Sequence, residues 1–113
     1  MPDITREELR NTLREWQAGS LEPQQVLEWA EERYDLEILK DEVVIEILTC
    51  LDSLHQNLIT VEDVPVFLQM LDAPLGKEQD ALMLLAKHDE SVDWKARKDK
   101  YKNHPLYGIF CKE

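Results

Sequence analysis

Apolar side chains recur along this chain at helical rather than strand spacing. Leu9, Leu13 and Trp16 fall at i, i+4 and i+7, which places them on one face of a helix with 3.6 residues per turn. Thr5 and Glu8 form a capping-box pattern ahead of them and Gly19 offers a left-handed stop, so a first helix is predicted over about residues 6–18. Pro23 suits the first turn of a second helix, whose inward stripe is Val26, Leu27, Ala30 and Tyr34. Asp41 can cap a third helix, in which Val44, Ile47, Leu48, Leu51 and Leu54 share a face widened by Val43 and Cys50. A stripe that broad belongs to the central helix of a bundle.

Thr60 and Asp63 make a second capping box, with Ile59 and Val64 placed as its hydrophobic staple. The fourth helix is thus predicted from near Val61, with Pro65 late in its first turn bending its start, and with Val64, Phe67, Leu68 and Leu71 pointing inward. After the breaker DAPLG, a fifth helix over about 77–88 carries Ala81, Leu82, Leu85 and Ala86. Ser91 is the expected cap of a sixth, DWKARKDKYK, anchored by Trp94 and Tyr101, and the tail HPLYGIFCKE reads as extended. With three glycines, no Asn-Gly or Asp-Gly turn and no sustained alternation, a sheet has no support. The expected fold is all-α, a single compact bundle of five to six short helices over residues 1–113, with a basic C-terminal helix and tail from residue 95.

Composition agrees. At 113 residues there is chain for one core, and a hydrophobic content of 43% is enough to build it. No apolar run approaches the roughly 18 residues that cross a bilayer, and the start MPDITREELR lacks the basic and apolar stretches of a secretory signal. The expected location is therefore cytoplasmic, with no membrane partner. Cys50 and Cys111 have neither the number nor the spacing of a disulfide framework or zinc site, and both are read as reduced thiols.

Charge changes the picture more. The formal net charge is -11, but residues 1–94 carry 22 acidic and 7 basic side chains, whereas residues 95–113 carry 2 acidic and 6 basic ones. From Glu22 to Glu46, nine carboxylates face only Arg33 and Lys40. A field of that sign repels phosphates and attracts cationic proteins, so nucleic acid is not an expected partner of the body. In the tail, Lys95, Arg97, Lys98, Lys100 and Lys102 with Trp94 and Tyr101 have the composition of a nucleic-acid segment. The plainer reading is internal neutralisation against the acidic body.

Catalytic chemistry is thinly represented. His55, His88 and His104 stand outside any HExxH or HxH spacing, and the Asp52/His55 pair reads as the hydrogen-bonded rim of a helix. Cys50, next to Leu51 and a turn from Ile47, reads as a small buried hydrophobe. Asp35, Glu37 and Asp41 imitate part of a calcium loop without its central glycine. No phosphate cradle or nucleophile elbow occurs. No catalytic residue, metal site or cofactor is expected.

The second helix carries the strongest candidate surface. At 100° per residue, Glu28, Glu31, Glu32 and Asp35 span about 100° of arc opposite the apolar stripe. Like charges at i, i+3 and i+4 cost a few tenths of a kcal/mol per pair. A cationic partner would relieve that repulsion. Trp29 lies at the border of the arc, where it either completes the core or serves as an anchor for a partner.

The segments LREWQAGSLEPQQVLEWAEERYD and VVIEILTCLDSLHQNLITVEDVPVFLQML, about residues 10–71, resemble small helical bacterial proteins akin to the immunity proteins of polymorphic and contact-dependent toxin systems. The resemblance implies a non-catalytic binder that neutralises a basic, nuclease-like toxin domain. Its carboxylates would occupy phosphate positions, and Trp29 and Tyr34 would supply apolar anchors. The alternative is an adaptor or chaperone-like helical module, and a small His-based enzyme or metal protein ranks below both. Oligomeric state is left open by the sequence.

Overall fold

A computed structural model describes residues 6–33, 41–74 and 76–108. Among them are seven α-helices and no strand: α1 (Arg6–Gln17), α2 (Pro23–Arg33), α3 (Glu42–Leu51), α4 (Leu54–Asn57), α5 (Val64–Leu71), α6 (Glu78–Ser91) and α7 (Trp94–Tyr101). The fold is all-α, with more helices than the five or six expected. Thr5, Tyr34 and Asp35, with the calcium-like segment's Glu37 and with Cys111, lie outside the described residues.

The central position expected of the third helix is observed. Val43, Val44, Ile47, Leu48 and Leu51 of α3 are almost completely buried, and α2, α4, α5 and α6 all pack on this helix. Asp41 caps it as the sequence implies, accepting from the Val43 and Val44 amides at 3.0 and 3.4 Å. The helix stops at Leu51, however, and Leu54 belongs to the separate short α4. Ser53 leaves helical geometry at φ -137° and ψ 32°, and Leu58 then adopts the left-handed region at φ 55°, reversing the chain while Leu54 stays in the core.

The Thr60/Asp63 capping box is also present. The Asp63 Oδ2 accepts from the Thr60 amide at 3.0 Å and the Thr60 hydroxyl from the Glu62 amide at 3.2 Å. This box caps a 3-10 turn, Val61–Asp63, and the α-helix proper begins at Val64 with Pro65 in its first turn. Val66 and Met70 join Val64, Phe67 and Leu71 in the core, and Leu68 is half-buried instead of fully inward.

Three expectations near the C-terminus are corrected. α6 runs to Ser91, beyond the predicted end at 88, and the Ser91 hydroxyl donates back to the His88 carbonyl at 2.7 Å. Asp93, not Ser91, caps α7, accepting from the Ala96 amide at 3.0 Å. The tail does not run extended over its described part, since residues 104–108 turn back. The His104 Nδ1 accepts from the Leu106 amide, and Tyr107 enters the core fully buried, its hydroxyl donating to the Ile59 carbonyl at 2.6 Å.

Two arginines tie the other end of the bundle. The Arg6 Nε and Nη2 donate to the Asp41 carboxylate at 2.7 and 3.2 Å, while its Nη1 reaches the Leu71 and Ala73 carbonyls at 3.1 and 2.6 Å. Arg10 adds Leu71 O and Asp72. Cations at the carbonyl end of α5 suit its dipole and satisfy acceptors the helix leaves open.

Candidate functional site

The sequence directs attention to α2. Pro23 starts this helix, Val26, Leu27 and Ala30 bury its inward stripe, and Glu28, Glu31 and Glu32 are exposed on the opposite side. The acidic arc is therefore present for these three residues. Gln24 Nε2 donates to Glu28 at 3.2 Å and Arg33 Nη1 to Glu32 at a long 3.4 Å. Both contacts are at the surface, where such bonds contribute little.

Of the two roles the sequence allowed Trp29, the structure shows part of the first. Its ring is half-buried against the core, and the Arg33 guanidinium lies over it, 4.7 Å from the ring centroid. Arg33 Nη1 also donates to the Trp29 carbonyl at 3.2 Å. A guanidinium over an indole face is attracted by the ring quadrupole. The arc thus ends in an indole already occupied by a cation from its own helix.

Elsewhere, carboxylates and cations are joined in structural contacts. Asp63, 2% exposed, accepts from Arg97 Nη1 at 3.0 Å (Oδ1) and 2.9 Å (Oδ2), and its Oδ1 lies 2.6 Å from His88 Nε2. Arg97 is itself 7% exposed, also reaches the Leu58 carbonyl at 3.4 Å, and stacks on Trp94. One turn later, Lys100 and the Tyr101 hydroxyl donate to the Glu62 Oε1 at 3.2 and 3.0 Å. Burial pushes the Glu62 carboxyl up, but these two donors outweigh it and hold the group below its usual value. The basic helix α7 is thereby fastened to the acidic turn at 60–63. Lys95 and Lys98 remain exposed.

Sequence reasoning missed Arg97 as a buried residue. The available signal was its spacing: Trp94, Arg97 and Tyr101 fall at i, i+3 and i+7, a helical stripe with a cation at its centre. His88 was also missed as a partner of Asp63, and nothing in its local sequence points there.

No protein-family model matches the chain, nor does any curated protein or solved structure.

The half-buried Cys50 thiol is pushed up to about 12, first by burial and then by Glu46. That environment disfavours the reactive thiolate. His55 sits half-buried on α4, and His104 Nδ1 is engaged with backbone amides. Among the described residues no three His, Cys, Asp or Glu side chains converge as a metal site, and no helix is long and apolar enough to cross a membrane.

Two shallow clefts meet at the start of α2. One, of about 560 Å³, lies between Glu22, Pro23 and Gln24 and the turn containing His104, Pro105 and Leu106. The other, of about 390 Å³, continues past Glu22 and Pro23 toward Leu21, Val61 and Tyr101.

Proposed function

We propose that this chain is a non-catalytic protein-binding module that captures a basic protein through the outer face of α2, and that its partner is a nuclease-like bacterial toxin domain which it neutralises as an immunity protein. The observation that carries this reading is the division of its charges. Arg6, Arg10, Arg97 and Lys100 are engaged by Asp41, Asp72, Asp63 and Glu62, while Glu28, Glu31 and Glu32 stay exposed with Arg33 as the cation beside them. Asp35 extends the same arc by sequence position. A nuclease domain must hold phosphates and so presents the opposite charge, which raises encounter rates with such a face. An incoming lysine or arginine can take the place of Arg33 over Trp29, turning an internal cation–π contact into an intermolecular one.

The test is binding to the toxin domain encoded beside this gene, with protection of cells from it. Converting Glu28, Glu31 and Glu32 to lysine should leave helicity and cooperative unfolding intact while slowing association by about tenfold or more at low salt. Trp29→Ala should act mainly on dissociation. Unchanged affinity and full protection by the triple variant would reject α2 as the interface. The adaptor reading is favoured by one feature, the pair of clefts at Glu22 and Pro23, and it expects binding that is insensitive to salt.

A further inference from the structure

Met83 and Leu84 are the large hydrophobic residues left exposed among the described ones, at 56% and 38%. Both lie on α6, away from the face that packs on α3 and α5 through Ala81 and Leu85. One turn before them is Asp80 and one turn after is Lys87, both exposed, and neither side chain pairs with another described residue. At 100° per residue, Asp80, Met83, Leu84 and Lys87 occupy about 100° of arc. The result is a short apolar centre bounded by an acid at one end and a base at the other.

Such a face is complementary to itself in one orientation only. If two copies of α6 lie side by side and antiparallel, with the two-fold axis between positions 83 and 84, Asp80 of each copy meets Lys87 of the other. Met83 then lies against its own copy, and Leu84 against its own. The charged positions are about 10 Å apart along the helix, so both ion pairs form at once without tilting the apolar centre out of contact. A parallel pairing would set Asp80 against Asp80 and Lys87 against Lys87. Lysine and aspartate near the centre line of the face would thus reject that arrangement while selecting the antiparallel one.

We infer that the chain self-associates as a two-fold dimer through the outer face of α6. The interface is one helix wide and falls below the roughly 1,200 Å² of stable complexes, so the dimer is a weak one that forms as concentration rises. It leaves the outer face of α2 outside the contact, and so does not depend on the function proposed above.

Sedimentation velocity of the full chain at about 0.15 M salt, where repulsion between the two acidic chains is screened beyond about 8 Å, tests this directly. From about 10 μM to 1 mM the wild type should pass from monomer toward dimer. Asp80→Lys and Lys87→Asp should each weaken association by about tenfold or more, since either change sets like charges opposite one another. An equimolar mixture of the two variants should form the heterodimer, and the double variant Asp80→Lys/Lys87→Asp should associate as the wild type does. All four positions are at the surface, and circular dichroism checks that the variants stay folded. A wild type still monomeric at 1 mM would overturn the proposal and leave the face to a different protein. A dimer indifferent to the single charge reversals would overturn it too, placing the contact elsewhere.

Discussion

Arg97 shows how far one side chain can depart from what its neighbours imply. In WKARKDKYK it reads as one cation among several, yet it is buried against Asp63, itself 2% exposed. Asp63 at once serves the Thr60 amide, Arg97 and His88. Removing one member of a buried pair leaves the other without compensation, a loss of about 3–5 kcal/mol. Arg97→Ala should therefore lower stability by that order in urea unfolding. If the pair acts as a unit, Asp63→Asn with Arg97→Met should cost less than the two changes summed, by roughly 1–3 kcal/mol. Strict additivity would show that each residue acts through separate contacts. The capping role of Asp63 was legible because a capping box is a relation between residues three apart. Its pairing with Arg97 was not, because it spans 34 positions and depends on how α7 folds back.

Local signals likewise decided which elements could be read. Asp41 and the Thr60/Asp63 box mark starts correctly, since both act through amides within three residues. Ends were harder. The apolar period of α3 continues through Leu54, so nothing in the spacing marks the break that Ser53 and left-handed Leu58 create. The tail was misread for a related reason: HPLYGIFCKE contains no helical stripe, yet Tyr107 finds the Ile59 carbonyl and is buried. Gly108 makes that turn possible. A Cβ there would stand 2.7 Å from the Lys102 carbonyl oxygen and 3.3 Å from its carbon, both backbone atoms that cannot swing aside. Gly108→Ala should consequently displace the turn, loosen Tyr107 and reduce stability by about 1–3 kcal/mol. An unfolding midpoint equal to that of wild type would mean that the turn contributes nothing to the fold. The candidate site was more legible than the tail, because an arc of glutamates on α2 follows from helical geometry alone. The Arg33 guanidinium over Trp29 needed the structure.

At the scale of the whole molecule, the excess of carboxylates acts in opposite directions at different places, and pH separates them. Asp41 and Glu62 are both pushed up by burial, but hydrogen bonds from Arg6 to the first, and from Tyr101 and Lys100 to the second, leave each below its usual value. A carboxyl held low in the folded state stabilises it above the unfolded pKa, and that contribution disappears as pH falls through the folded value. Asp52 and Asp89 are shifted the other way, Asp52 by burial and Asp89 by burial and then Asp63. Their ionised forms oppose folding, so protonating them on the way down from neutral pH is favourable. The general repulsion from a net charge of -11 also eases as pH nears the pI of about 4.6. Stability should thus rise slightly from pH 7, pass a broad maximum near pH ~5, and fall below about pH 4 as Asp41 and Glu62 take up protons. Urea midpoints between pH 3 and 7 measure this curve. In Asp41→Asn the fall below pH 4 should be shallower, because one of the groups responsible no longer titrates. A midpoint that keeps rising to pH 3 would mean that relief of the general repulsion outweighs the specific pairs, and that these clamps contribute little to the fold.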